Sequence, residues 1–97
     1  MRVEAEIKQV GEPYEGHSKT TGKAWKAITL LLEWKEGEGT NRAWATMFND
    51  VVEWFEQTEL QVGEWCVANL LFSTRSYRTG YHKTEVNIND ITRRTTV

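Results

Sequence analysis

The residues of this chain that could do chemistry are aromatic rings set among cations. The run GKAWK holds Trp25 between Lys23 and Lys26, with Lys19 a few residues earlier. Arg42 precedes Trp44 by two positions, so on a strand both would project from one face. The run TRSYRTGYHK sets Tyr77, Tyr81 and His82 among Arg75, Arg78 and Lys83. Cations that track phosphates and flat rings that carry bases suit a single-stranded nucleic acid. Each stacked base contributes about 1–3 kcal/mol with no readout of sequence.

Catalytic and metal chemistry find little to work with. His17 and His82 lie in different loops, with no Cys, Asp or Glu at a recognisable ligand spacing. Glu53 and Glu56 are one helical turn apart, which reads as a solvated face and not an acid–base pair. No glycine-rich phosphate loop follows a strand. Cys66 is the single cysteine, so neither an internal disulfide nor a cysteine-based zinc site is expected. A non-catalytic protein without metal or cofactor is the expectation.

Positioning these groups falls to one small domain of 97 residues, 39% hydrophobic and 27% charged. Arg2 to Val10 alternates, with Val3, Ala5 and Ile7 on one parity, as a half-buried strand does. Gly11 to Gly22, which holds the only proline, reads as a long loop or flexible hairpin. Ala24 to Glu36 is a long strand with Ile28, Leu30, Leu32 and Trp34 inward and Trp25, Ala27, Thr29, Leu31 and Glu33 on the other face. A third strand spans about Arg42 to Phe48. Asn49 then suits an N-cap, and Val51, Val52, Trp54 and Phe55 make a short helical stripe ending near Thr58. Trp65 to Tyr77 is a fourth strand with Cys66, Ala68, Leu70 and Phe72 on one face. Arg78-Thr79-Gly80 is its turn, and His82 to Ile91 is the fifth strand, with Val86 and Ile88 inward.

Three strands, one short helix and a final hairpin are the order of the OB-fold, an all-β five-stranded Greek-key barrel with the helix closing one end. A small α+β sheet is the alternative. Nowhere do about 18 apolar residues run together, so no membrane-spanning helix is expected. MRVEAEIKQV lacks the apolar stretch of a signal peptide, and a cytoplasmic protein is expected.

Net charge is −2, but it is segregated. His17 to Leu32 is +3, Glu33 to Glu64 is −6, and Trp65 to Val97 is +3. The acids gather on the helix and its flanks, the cations on the first long loop and the last hairpin. In an OB-fold those two loops flank the groove across the second and third strands. Local sign steers a polyanion over roughly a Debye length, ~8–10 Å. The single helix is acidic, which argues against insertion into duplex DNA.

AWATMFNDVVEWFEQTELQVGEWCVANLLFSTRSYRTGYHKTEVNINDI resembles the second half of the OB domains of single-stranded-DNA-binding proteins. Those carry a tryptophan on strand three, a short helix, a "VG" or "KG" before strand four, and a hairpin with a central glycine followed by a "TEV"-like strand. GKAWK, QVGEW and SYRTGYHKTEV are also similar to a family of short uncharacterised bacterial OB-fold proteins. The resemblance covers nearly the whole chain through short motifs. It implies that Trp44 stands where such proteins keep a base-stacking tryptophan. It also sets Lys23, Trp25 and Lys26 in the loop and strand-two region, and Tyr77 to Lys83 in the finger that wraps the strand. The family's acidic, partner-recruiting tail has no counterpart where the sequence ends at Thr95-Thr96-Val97, and Leu70 or a neighbour replaces its strand-four glycine.

The expected function is binding of single-stranded DNA, or RNA, by Lys19, Lys23, Lys26, Arg42, Arg75, Arg78 and Lys83 along the backbone. Trp25, Trp44, Tyr77 and Tyr81 would stack the bases. For Trp25 and Trp44 the alternative is packing within the barrel or against a partner. Trp34 and Trp54 are assigned to the core, and Trp65 to an oligomer contact. Outward Leu31, Trp65, Val67 and Leu71 imply a homodimer or higher homo-oligomer. The rival reading is an OB-fold protein-interaction module without nucleic-acid binding.

Overall fold

The computed structural model describes residues 1–94, Arg75 by its backbone alone. Its elements are β1 (Arg2–Val10), β2 (Tyr14–His17), β3 (Ala24–Glu36), β4 (Gly39–Phe48), α1 (Asp50–Thr58), β5 (Trp65–Ser76) and β6 (His82–Arg93). β1 pairs antiparallel with both β5 and β3, β3 with β4, and β5 with β6. β4 meets β6 in parallel through one register pair, Thr46 opposite Asn87. The five strands β1, β3, β4, β6 and β5 thus close into a barrel, with α1 between β4 and β5 in the chain. That is the expected all-β class, and its connectivity is compatible with an OB-like fold.

The alternation in β3 holds from Ile28 to Trp34, while Ala27, on the outward parity, is fully buried as well. Ile28, Leu30, Leu32 and Trp34 are buried, and they pack with Val3, Ala5 and Ile7 of β1, Ala45 and Met47 of β4, Cys66, Ala68 and Leu70 of β5, and Ile88 and Ile91 of β6. Leu30, Leu32, Met47 and Leu70 are at or below 1% exposure. Among the described residues the core contains no polar or charged side chain. Val52 and Phe55 of α1 and Leu60 just after it cap this core from one end.

Four local details qualify the expectations: Asn49 is the N-cap of α1 and Phe72 shares the face of Leu70, yet each departs from the simple pattern. Of the loop and hairpin alternatives for Gly11 to Gly22 the hairpin is realised in part, because Tyr14–His17 is a third antiparallel partner of β3, after β1 and β4. Asn49 does not cap α1 with its side chain. Its Oδ1 instead accepts from the Lys26 backbone N–H at 3.1 Å, while its own N–H donates to the Lys26 carbonyl at 2.9 Å. That pair ties the start of α1 to β3 and holds Asn49 at φ 50° and ψ −112°, outside the left-handed helical region in which asparagine is usually found at positive φ. Trp54 is 45% exposed against 7% for Trp34. A nine-residue helix turns only a narrow stripe inward, and Val52 and Phe55 occupy it. Phe72 keeps the inward parity of β5 but is exposed, because the β5–β6 hairpin runs on beyond the end of the core at Leu70.

Candidate nucleic-acid interface

In a strand, successive side chains face opposite sides, so burying Ala45 and Met47 turns Arg42, Trp44, Thr46 and Phe48 outward together. On β3 the outward set lies directly opposite: Glu33 faces Arg42, Leu31 faces Trp44, Thr29 faces Thr46 and Ala27 faces Phe48. The Thr29 and Thr46 hydroxyls hydrogen-bond at 3.0 Å and join the two strands across this face.

Trp44 is the most open ring of this face, 51% exposed. It borders a groove of about 400 Å³ together with Tyr14, Thr46, Phe48, Lys83, Thr84, Val86 and Asn87. Glu85 lines the same groove. Small-molecule sites run from ~300 to 1,000 Å³, so the groove is large enough for a short stretch of flat rings. Lys83 brings a positive charge to it from β6, while the acids of α1 are not among its lining residues.

The sequence-selected residues divide into three groups. Trp44 and Lys83 meet in the groove. Arg42 shares the Trp44 face, but its Nε donates to Glu33 at 2.9 Å. Hydrogen bonds from Arg42, and next from Lys8, hold the Glu33 carboxyl below the ordinary carboxylate range. Trp25 is half-buried behind the groove, edge-on to Tyr14 and Phe48.

Tyr77, Arg78 and Tyr81 form the second group, exposed at the hairpin tip. There the Tyr77 N–H donates to the Tyr81 carbonyl at 2.8 Å and Gly80 takes φ 82°, the left-handed conformation the turn requires. The two tyrosine rings lie 5.7 Å apart at 37°. The side chain of Arg75 lies outside the described residues.

The third group is drawn elsewhere. Lys19 and Lys23 are exposed in the β2–β3 turn, which is closed by the Ser18 N–H donating to the Lys23 carbonyl. Lys26 has the opposite parity to Trp25 and places its Nζ 2.9 Å from Glu56 of α1. Glu56 accounts for most of the upward shift of the Lys26 pKa. The structure does not bring Lys26 to the groove.

Two lining rings were not selected from sequence. Phe48 was legible, since it shares the parity of Arg42 and Trp44. Tyr14 was not, because its strand sits inside a Gly- and Lys-rich stretch and has only four residues. Trp65, read as an oligomer contact, is half-buried and carries the Arg94 guanidinium 4.6 Å from its ring centre. Among the described residues no group of three metal-ligating side chains is found, and no helix is long and apolar enough to cross a membrane. Set against protein-family models and curated proteins, the chain matches none of them.

Proposed function

We propose that this protein binds single-stranded nucleic acid, with DNA as the first candidate, and catalyses no reaction. The bases lie against Trp44, Phe48 and Tyr14, and the backbone follows Lys83 toward the basic hairpin. The observation that carries this reading is the convergence of three exposed rings and one lysine on a single groove. A cluster of exposed rings on one face is the kind of surface that marks an interaction site. Base stacking is the interaction that uses them without sequence preference. The resemblance of Trp44 and of the SYRTGYHKTEV hairpin to single-stranded-DNA-binding proteins points the same way. Self-association belongs to this reading as well, with exposed Leu71 on β5 as apolar surface for a second copy.

The test is quenching of tryptophan fluorescence during titration with oligo-dT at several salt concentrations. Expected is quenching that weakens with salt and is lost in Trp44→Ala. No quenching at low salt and micromolar protein overturns the reading. A protein-binding role is favoured by a separate surface, where exposed Trp54 lines a shallow groove with Gln57, Asp90 and Thr92. Under that reading Trp54→Ala, and not Trp44→Ala, abolishes the partner contact.

A further inference from the structure

We infer that Trp25 is the positioning residue of a strap that delivers Tyr14 to the groove, and that Tyr14, not Trp25, is the ring that touches the bases. This rests on the proposed binding of single-stranded nucleic acid.

β2 is the one strand outside the closed barrel, and it lies along β3 with Gly16 opposite Trp25. The indole occupies the space a side chain at position 16 would need. A Cβ built on Gly16 would stand 2.4 Å from Cζ2 and 2.7 Å from Cε2 of Trp25, closer than any real contact. Glycine inside a strand marks such an approach, and here the approaching group is the flat indole of the residue paired opposite it. The same indole meets the Tyr14 ring at 5.8 Å and 90°, and the Phe48 ring at 6.3 Å and 71°. Both are edge-to-face geometries of the favourable kind.

Trp25 is thus engaged by Gly16, Tyr14 and Phe48 and does not line the groove, whereas Tyr14 and Phe48 do. A strand of four residues is at the short end for pairing and gains its placement from side-chain contact. The wedge of Trp25 into the Gly16 gap supplies that contact. Tyr14 then forms a wall of the groove that none of the five barrel strands provides.

The experiment is fluorescence anisotropy of a labelled oligo-dT with the wild-type chain, Tyr14→Ala, Tyr14→Phe, Gly16→Ala and the Gly16→Ala/Tyr14→Ala double variant. Tyr14→Ala is expected to weaken binding by the value of one stacked base, about 5- to 150-fold. Tyr14→Phe restores it, because the ring and not the hydroxyl is used. Gly16→Ala weakens binding as Tyr14→Ala does, and the double variant is no weaker than either single one. Should Gly16→Ala fail to fold, Trp25→Phe takes its place in the same cycle. Wild-type affinity in Tyr14→Ala, or losses that multiply in the double variant, overturn the inference, while binding that is still lost in Trp44→Ala keeps the nucleic-acid reading on Trp44. No binding by the wild-type chain removes both.

Discussion

The Lys26 ammonium lies 2.9 Å from the Glu56 carboxylate, on the side of β3 opposite to its neighbour Trp25. One peptide step separates a ring that backs the groove from a cation committed to the helix. The +3 charge of the segment His17 to Leu32 therefore overstates what it can offer a polyanion on the groove face.

Lysine substitutions should separate the two surfaces. Lys83→Ala is expected to weaken oligo-dT binding and to lower the slope of log affinity against log salt by about 1. Lys26→Ala is expected to leave that slope unchanged. Equal losses in both variants would mean that Lys26 abandons Glu56 for the ligand.

Acid stability should follow two carboxylates. Glu33 is held low by Arg42 and then Lys8, and Glu64 by Arg93 and then the Gln61 backbone N–H. Both start from an ordinary value of 4.5. Between that value and the lowered folded one, the unfolded chain binds more protons than the folded chain. The stabilisation is present above 4.5 and is lost as pH falls through the folded values. Urea midpoints measured downward from about pH 6 should fall for the wild-type chain and fall less steeply for Glu33→Gln/Glu64→Gln. Parallel curves would assign the acid transition to other groups.

Burial leaves the Cys66 side chain inaccessible and pushes its thiol up to about 11. Only the thiolate reacts readily, so labelling by a disulfide reagent near pH 8 is expected to be slow in buffer and immediate in urea. Full labelling within the mixing time in buffer would show that the β1–β5 side of the barrel opens without unfolding.

Adjacent positions on β5 should differ sharply in their effect on stability. Leu70→Ala removes a side chain that is 1% exposed and is expected to cost about 2–5 kcal/mol in urea unfolding. Leu71→Ala, at an exposed site, should stay within about 0.5 kcal/mol in the dilute monomer. A loss at Leu71 that grows with protein concentration would report a subunit contact there.

The barrel was readable because burial in β1, in β4 and in β3 from Ile28 to Trp34 alternates, and alternation is visible in a single sequence. Parity also predicted that Trp44 points outward and Trp34 inward. It misled at Phe72, since alternation states which face a residue occupies and not whether the barrel extends that far. Trp54 failed for a related reason: a four-residue apolar stripe is wider than the arc a nine-residue helix can bury. Tyr14 was illegible because β2 has only four residues and is defined by its pairing with β3, where Gly16 lies opposite Trp25. The pairing of Lys26 with Glu56 spans thirty positions, and no local pattern reports it.

Thr46 opposite Asn87 is the sole register pair between β4 and β6, and both residues line the groove. The barrel is therefore joined most thinly along the trough. Anything that lodges there lies across the joint like a clamp across a seam. Occupancy and closure become linked: filling the trough should slow hydrogen exchange of the backbone amides on either side of that joint before it affects the rest of the barrel.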